Sequence, residues 1–370
     1  MDKVRSYLDA YLRRFRGNHE KWNYEDGCVL LGARRLYEVT GEEAYADLIV
    51  SYLDSYVGED GTIAHYEKEK YNIDNINTGK ALFFAYDRTG NEKYRKAIEL
   101  LMDQLRNHPR CESGNFFHKK IYPDQIWLDG LFMAQPFYMA YTTRYEKKEH
   151  YADIVSQFVN TDRYLYNPEK GLSYHACDTT KSIFWADPET GCSKNFWLRS
   201  IGWYLMALID TLEQMSEEIY EQYRTLVDLY RKSIKGILQY QDPETGLFYQ
   251  VVDHPEAEGN YPEASGSAMV ACTIFRACKA GILLPEKYLP AAEKIMAGLR
   301  DILLKEVDGK TVLTNCCSVS GLGPADNPRR DGTVAYYLSE PVVCDDEKAV
   351  GAYMMAVAAQ MAFDKEKTWN

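Results

Sequence analysis

Residues 130–145 read GLFMAQPFYMAYTTRY, an apolar stretch rich in alanine, methionine and aromatic residues. Its apolar residues cover nearly the whole circumference of a helix, which is typical of a helix that is buried on most of its faces. Other stretches share this composition and also begin at or just after a glycine. They start at Gly27, Gly79, Gly202, Gly266 and Gly351. Together with the first stretch, they predict six inner helices.

More polar segments lie between these stretches and carry Tyr and Leu on one helical stripe, as expected for helices with one exposed face. They occupy about residues 1–16, 42–57, 91–107, 147–160, 217–240 and 286–304. The letters repeat as well, since residues 37–45 (YEVTGEEAY) resemble residues 86–94 (YDRTGNEKY). This alternation predicts a chain of helical hairpins.

A shorter repeat follows the outer segments and ends each time in a polar residue, which we call the rim residue. Its copies read GTIAH, GNFFH, GLSYH and GLFYQ and end at His65, His118, His175 and Gln250. Each copy precedes a long polar loop into the next inner stretch, whereas the turns from inner to outer helix are short. We therefore expect the long loops, and with them the functional residues, to gather at one end of the molecule.

Six hairpins could stack as an open solenoid or close into a ring. The double burial of the inner set favours closure, and we predict an all-α fold, an (α/α)6 barrel that forms one catalytic domain over residues 1–370. An alternating β/α fold is disfavoured, because the apolar stretches are too long for strands and are not β-branched. A funnel is expected at the end where the long loops lie.

Composition excludes several classes of partner. The chain of 370 residues is 46% apolar and 26% charged, as in globular proteins, and its formal net charge of -12 argues against nucleic acid. Nine cysteines at scattered spacings match neither a zinc nor a disulfide pattern, so we expect thiols in a reducing compartment. No stretch is apolar over the length of a membrane helix, and no apolar targeting segment is found. The sequence predicts a cytoplasmic protein without a membrane partner.

Two acidic residues precede successive inner helices and are separated by one repeat. Asp74 lies in YNIDNINTG (residues 71–79) and Asp129 in IWLDGLFM (residues 126–133). Apolar neighbours enclose Asp129, and removal from water favours the protonated form that a general acid needs near neutral pH. The alternative is that each Asp merely caps its helix. Two carboxyl groups at matching positions favour catalysis.

A further candidate opens the fourth inner helix, where residues 195–203 read NFWLRSIGW. Arg199 lies between Trp197 and Trp203, so a bidentate guanidinium between indole rings could hold an anionic sugar. The alternative is an Arg paired with one of the many acidic residues, with both Trp in the core. His118, Lys119, Lys120 and His175 would add donors to the same funnel, and Ser265 and Ser267 could offer hydroxyls or cap a helix.

Several catalytic signatures are absent from the sequence. There is no His-Glu-x-x-His pair, no phosphate-binding loop and no Rossmann glycine pattern, and the Gly-x-Ser matches lack a preceding strand. These absences argue against metal, nucleotide and serine-nucleophile chemistry. We expect no metal and no other cofactor.

The same residues resemble the motifs of the unsaturated rhamnogalacturonyl hydrolases of glycoside hydrolase family 105, relatives of the unsaturated glucuronyl hydrolases. The matching segments are residues 122–137 (YPDQIWLDGLFMAQPF), 174–175 (YH), 197–203 (WLRSIGW) and 265–269 (SGSAM). This resemblance implies that Asp129 is the general acid/base and Asp74 the second carboxylate, with no metal. It also implies a pocket lined by Tyr24, His118, Met133, His175, Trp197, Arg199 and Trp203.

The resemblance further implies a substrate and a reaction. The substrate would be a small anionic oligosaccharide released by a lyase, above all unsaturated galacturonyl-rhamnose from rhamnogalacturonan in pectin degradation. Its terminal uronic acid carries a C4=C5 enol ether, which Asp129 would protonate at C4 before water adds at C5. We expect a monomer or homodimer. The alternatives are an ordinary inverting glycosidase, a sugar epimerase or a non-catalytic oligosaccharide-binding ring.

Overall fold

A computed structural model describes residues 2–18 and 20–367, which form helices joined by loops and short strand pairs. The helices are α1 (Asp2–Arg14), α2 (Tyr24–Thr40), α3 (Glu43–Asp54), α4 (Lys80–Thr89), α5 (Glu92–Arg106), α6 (Leu128–Tyr145), α7 (Tyr151–Leu165), α8 (Leu198–Gln214), α9 (Tyr220–Ile237), α10 (Ala264–Lys279), α11 (Pro285–Gly298), α12 (Val334–Ser339) and α13 (Glu347–Lys367). A 3-10 segment (Ile73–Gly79) leads directly into α4. Shorter helical turns are Lys68–Lys70, Leu238–Tyr240 and Leu299–Leu303.

Short strands connect some of these helices. They are β1 (Gln125–Trp127), β2 (Tyr166–Asn167), β3 (Leu172–Ser173), β4 (Ala176–Asp178), β5 (Leu304–Val307), β6 (Lys310–Leu313), β7 (Cys316–Cys317) and β8 (Val342–Val343). Each belongs to a two-stranded antiparallel sheet, in which β1 pairs with β4, β2 with β3, β5 with β6 and β7 with β8. The β1–β4 pair joins the loops of two successive hairpins at the long-loop end.

Helices α2, α4, α6, α8, α10 and α13 form a closed inner ring. Each packs against the next, the 3-10 segment before α4 contacts both α2 and α6, and α13 closes the ring on α2. Helices α3, α5, α7, α9 and α11 each pack outside the inner helix that precedes them. Helix α1 completes the outer layer, where Val4 and Leu8 share a cleft with Val357 and Met361 of α13. The predicted (α/α)6 barrel is confirmed.

Burial distinguishes the two layers as the sequence predicted. Every residue of α6 from position 128 to position 142 is buried. The outer helix α5 instead buries one stripe, which contains Tyr94, Ala97, Ile98, Leu101, Met102 and Leu105. The core therefore lies between the layers and inside the ring, and polar groups within the ring must find partners there.

The glycines that mark the inner stretches lie within the first turns of the helices and not at their starts. Five of the six inner helices begin two to four residues before their glycine, and α4 begins directly after Gly79. A side chain at Gly266 would overlap Leu198 of α8, and a Cβ at Gly351 would lie 2.5 Å from the backbone of Cys28 on α2. The glycine recurs because neighbouring inner helices approach closely there.

The rim repeat has a common backbone conformation. Its glycines, Gly61, Gly114, Gly171 and Gly246, have left-handed φ values of 86°, 91°, 68° and 74°. The rim residues His118, His175 and Gln250 are buried, as expected for groups that face the interior of the barrel. His65 differs, because it is exposed and itself has a φ of 62°. The expectation that all four rim residues occupy one position is therefore wrong for His65.

Backbone hydrogen bonds join three of the rim residues, all except His65, to the start of an inner segment. The first residue of the inner segment donates its N–H to the carbonyl of the rim residue of the next hairpin. The bonds run from Ile73 to His118 (3.2 Å), from Leu128 to His175 (3.1 Å) and from Leu198 to Gln250 (3.0 Å). We call these bonds the rim joints. They provide acceptors for N–H groups that have no partner within their own helix.

Two other expectations concern thiols and membranes. All nine cysteines lie in the described residues, where each is free and all but Cys344 are buried. Among the helices that the structure describes, none combines the length and the apolar character needed to cross a bilayer.

Gly351→Ala tests whether the close contact between α13 and α2 is needed for the stability of the closed ring. Alanine favours a helix by about 1 kcal/mol over glycine, so an uncrowded site would gain stability. Here the new methyl group would meet the Cys28 backbone at 2.5 Å, and we expect the free energy of unfolding to fall by about 2–3 kcal/mol. Denaturant unfolding measures this change.

Gly114→Ala is the matched control, since space around Gly114 is open and its φ is 91°. It should lower the free energy of unfolding by about 1–2 kcal/mol through left-handed strain alone. A Gly351→Ala protein as stable as the wild type would contradict the close contact.

Candidate active site

Four neighbouring inner segments place one residue each at the same position, directly after their first residue. These residues are Asp74, Asp129, Arg199 and Ser265. Rim joints hold the first three positions at the long-loop end of the barrel. The structure therefore brings both candidate carboxylates and the candidate Arg to one mouth of the ring, on successive segments.

Asp129 is 8% exposed and lies in the first turn of α6. Its Oδ2 stands 3.2 Å from Nε2 of His175, but neither atom has a hydrogen-bond partner among the described residues. The other ring nitrogen of His175, Nδ1, lies 2.8 Å from the Tyr337 hydroxyl. The N-cap residue of α6 is Trp127, so Asp129 is not a helix cap. Its Oδ2 is thus buried against the imidazole of His175.

Asp74 has a different environment, although it is buried to a similar extent. Its Oδ2 pairs with Nζ of Lys119 at 2.7 Å, and its Oδ1 lies 3.3 Å from Nε2 of His118. Burial alone would raise the pKa of Asp74, but Lys119 and His118 together hold it below its usual value. The N-cap of its segment is Asn72, so Asp74 is not a cap either. The ionised form is favoured at neutral pH.

His118 contacts Asp74 and also lies within the electrostatic influence of Asp129. Burial lowers the pKa of His118 to about 4, although Asp74 and Asp129 both oppose that effect. The imidazole is therefore neutral at pH 7. Its ring stacks on Trp127 with centroids 4.6 Å apart, and the edge of Trp127 meets His175 at 5.1 Å. This aromatic packing fixes the orientation of both histidines.

Arg199 has the most buried guanidinium at the mouth, with 1% of the residue exposed. Its Nη1 donates to the Cys317 carbonyl and its Nη2 to the Ser318 carbonyl at 3.4 Å. Its Nε has no hydrogen-bond partner among the described residues. The guanidinium also lies 4.9 Å from the Trp197 ring centroid. The guanidinium expected to hold a ligand carboxylate thus binds two backbone carbonyls.

The other candidate pocket residues lie at two levels of the ring: Tyr24 lies at the side of the mouth, and Met133 and Trp203 lie below it. Tyr24 begins α2; burial raises the pKa of its hydroxyl well above its usual value, and Arg199 and Asp74 are among the charges that act on it. Met133 and Trp203 are 2% and 1% exposed and lie one turn below the mouth. They therefore lie beneath the polar groups and are not part of the polar lining of the mouth.

The predicted hydroxyl group at the fifth inner helix proves to be part of a cap. Glu263 is the N-cap of α10 and accepts hydrogen bonds from the backbone of Ser265 and Gly266. The Ser265 hydroxyl donates to the same carboxylate at 2.7 Å. Glu263 also accepts from the Cys317 backbone at 3.2 Å, so it links α10 to the chain that binds Arg199.

The segment between β7 and β8 packs against the mouth, a role that the sequence analysis did not assign. Leu322 joins the buried cluster that contains Trp127 and Trp185. The Tyr336 hydroxyl donates to the Gly321 carbonyl at 2.5 Å. Tyr337, which contacts His175, also belongs to this segment. No local motif marks these residues, and their partners lie far away in the sequence.

Lys119 was noted in the sequence for its charge and proves to be the direct partner of Asp74. Its position, immediately after the rim residue His118, could have signalled this contact. Within residues 2–18 and 20–367, no group of three or more His, Cys, Asp and Glu side chains is arranged to hold a metal ion.

Comparison with known proteins matches residues 3–363 to the family model Glycosyl Hydrolase Family 88. A solved glycoside hydrolase from family 105 of C. acetobutylicum ATCC 824 superposes with a TM-score of 0.91 at 38% identity. The match covers 98% of this chain and 99% of that chain. The barrel described above therefore matches that of a solved glycoside hydrolase over nearly the whole chain.

Two further relatives are more distant. The unsaturated rhamnogalacturonyl hydrolase YesR of Bacillus subtilis (strain 168) is 26% identical over 315 residues, which cover 84% of this chain and 83% of the relative. An unsaturated glucuronyl hydrolase from Bacillus sp. GL1 has a TM-score of 0.69 at 16% identity, over 97% of this chain and 95% of that chain. The latter match shows the fold alone.

Lys119→Met tests the electrostatics of Asp74. The Lys119 ammonium, 2.7 Å away, favours the carboxylate, so its removal should raise the pKa of Asp74. An NMR titration of labelled aspartate carboxyl carbons measures the shift. The control is Lys120→Met, because Lys120 is the neighbouring residue but is exposed. An unchanged titration of Asp74 in Lys119→Met would show that His118 alone sets its charge.

Proposed function

The chain belongs to Glycosyl Hydrolase Family 88 and is a glycoside hydrolase, and we propose that it removes an unsaturated uronic acid from the non-reducing end of a small oligosaccharide. The observation that carries this proposal is the pair of unlike carboxyl groups at the mouth of the barrel. Asp74 is paired with Lys119, whereas Asp129 keeps one oxygen without a hydrogen-bond partner. One group can therefore hold a charge while the other transfers a proton.

The proposed substrate is unsaturated galacturonyl-rhamnose, derived from rhamnogalacturonan. The function named for the B. subtilis relative supports this choice. A small substrate also suits a mouth whose carboxyl, imidazole and guanidinium groups are more than nine-tenths buried. The scattered thiols favour a reducing compartment, and we place the reaction in the cytoplasm.

Asp129 acts as the general acid in the proposed mechanism. It gives its proton to C4, the electrons of the double bond form the new C4–H bond, and a cation forms across C5 and the ring oxygen. A water molecule adds to C5 and returns a proton to Asp129. The hemiketal then opens and releases the neighbouring sugar, so that one water is consumed and Asp129 is regenerated.

Asp74 supplies the second function. Its charge is held in place by two partners on the same rim repeat, Lys119 and His118. A preorganised carboxylate beside the reacting ring stabilises the positive charge that develops at C5 and the ring oxygen. It can also accept a hydrogen bond from the attacking water. A neutral His118 fits this role, because it does not add a second positive charge beside the cation.

Arg199 provides the positive charge for the uronate carboxylate. Each Nη donates one hydrogen bond to the backbone of residues 317 and 318, and the contact proposed here uses Nε together with the remaining N–H groups. Trp197, against the guanidinium face, limits the directions from which an anion can approach. The fixed guanidinium loses little freedom when the substrate binds.

Asp129→Asn is expected to lower kcat by about 10²- to 10⁴-fold, because an amide cannot serve as a proton donor. The alkene absorbs in the ultraviolet, and the loss of this absorbance measures turnover of unsaturated galacturonyl-rhamnose. Substrate binding should persist, since Arg199 is unchanged. Asp74→Asn is the matched comparison, because it removes a carboxylate of similar burial whose role is electrostatic.

Heavy water distinguishes this route from displacement at C1. Wild-type turnover should place deuterium at C4 of the released keto-uronate. Absence of deuterium at C4, with solvent oxygen at C1 of the uronic acid, would reject hydration of the alkene and favour an ordinary inverting glycosidase.

A further inference from the structure

Helix α6 contains a proline, Pro136, about two turns after Asp129. Pro136 has no backbone N–H, so the carbonyl of Phe132, four residues earlier, lacks its helical donor. That carbonyl instead accepts a hydrogen bond of 2.5 Å from Nζ of Lys80. A side chain from another inner helix therefore replaces a hydrogen bond that α6 cannot make for itself.

Lys80 makes a second contact with the same residue. Its Nζ lies 3.5 Å from the centroid of the Phe132 ring, a close cation–π contact. Lys80 is the first residue of α4 and follows directly on the 3-10 segment that carries Asp74. Phe132 lies three residues after Asp129 on α6. The contact thus joins the two elements that bear the carboxyl groups, just below the mouth.

The surroundings of Lys80 are unfavourable for a charged ammonium group. Lys80 is 6% exposed, and burial lowers its pKa to about 7. The charged or titratable groups that act on it from the other inner helices are Asp210 on α8, Cys28 on α2 and Arg276 on α10. An apolar side chain of the same length would avoid this desolvation, so packing alone does not explain a lysine here.

We propose that Lys80 is a positioning residue, which binds the Phe132 carbonyl freed by Pro136 and thereby sets the placement of Asp129 relative to Asp74. A proline in a helix interior removes one backbone hydrogen bond and weakens the helix at that point. The Lys80 side chain supplies the missing donor. Because Lys80 comes from the segment of Asp74, it ties this part of α6 to the second carboxylate. The inference rests on the proposed roles of these two carboxyl groups.

Four proteins test the proposal: Lys80→Met, Pro136→Ala, the double variant and the wild type. Lys80→Met should lower kcat on unsaturated galacturonyl-rhamnose by at least about tenfold with KM within about twofold, because a small misplacement of a reacting group slows the chemical step. Pro136→Ala restores the N–H at position 136 and should retain activity. The double variant should recover kcat to within about threefold of Pro136→Ala, since Phe132 then has a helical donor.

Lys80→Met/Pro290→Ala is the control for the rescue, because Pro290 also interrupts a helix but lies in the outer helix α11. It should remain as slow as Lys80→Met. Wild-type kcat in Lys80→Met, or a double variant with Pro136→Ala that stays slow, would overturn the proposal. If Lys80→Met does not fold but the double variant Lys80→Met/Pro136→Ala does, the proposal is supported. If neither of these two proteins folds, the proposal is rejected.

The melting temperatures of the same proteins provide a readout that needs no substrate. The double variant Lys80→Met/Pro136→Ala should have a higher melting temperature than the sum of the two single shifts predicts. The second change supplies a donor to the Phe132 carbonyl that the first change leaves without one. An error in the proposed reaction would appear in the Asp129→Asn and heavy-water results and would leave this coupling unchanged. Additive melting temperatures would reject the Lys80–Pro136 link while leaving the proposed reaction intact.

Discussion

The rim joint, a hydrogen bond from the first residue of an inner helix to the rim residue of the next hairpin, is the constraint on which the site depends. Between Leu128 and His175 the backbone bond measures 3.1 Å, and the adjacent side chains of Asp129 and His175 stand 3.2 Å apart. One hairpin earlier, Asp74 and His118 repeat the arrangement. This recurring connection therefore links successive hairpins at the long-loop end, and in two of its three copies it also places a carboxyl group beside a histidine. Fold and site share this geometry.

Although this geometry repeats, the two carboxyl groups have different surroundings, because a different residue follows each rim histidine. After His118 the chain supplies Lys119, whose ammonium pairs with Asp74. After His175 it supplies Ala176, and the distant Tyr337 binds the far side of the imidazole instead. Because Asp74 and Asp129 are buried to a similar extent, removal from water alone would act on both carboxyl groups in the same way. The division of labour proposed for them therefore depends on a difference of one side chain between two hairpins.

Periodicity and repeats sufficed to predict the barrel, because each inner helix is apolar around its circumference and each hairpin repeats the same signals. The carboxylates could be found in the same way, since their position repeats with the hairpins. Other features have no local signal. Arg199 binds carbonyls of residues 317 and 318, more than a hundred positions along the chain, and Lys80 binds the carbonyl freed by Pro136. The sequence also could not show that the repeating glycine serves contacts between helices and not helix starts, because that role depends on the neighbouring helix.

Closure of the ring also has a consequence for how the chain folds as it is synthesised. Helix α2 and its inner neighbour α13 are separated along the chain by all the other inner helices. The apolar face of α2, including Cys28 and Val29, must therefore wait until those helices have been made before the one that covers it emerges. Contacts between such distant parts of a chain form slowly, and exposed apolar surface invites aggregation in the interval. A closed barrel of this kind is thus most vulnerable just before its final helix docks.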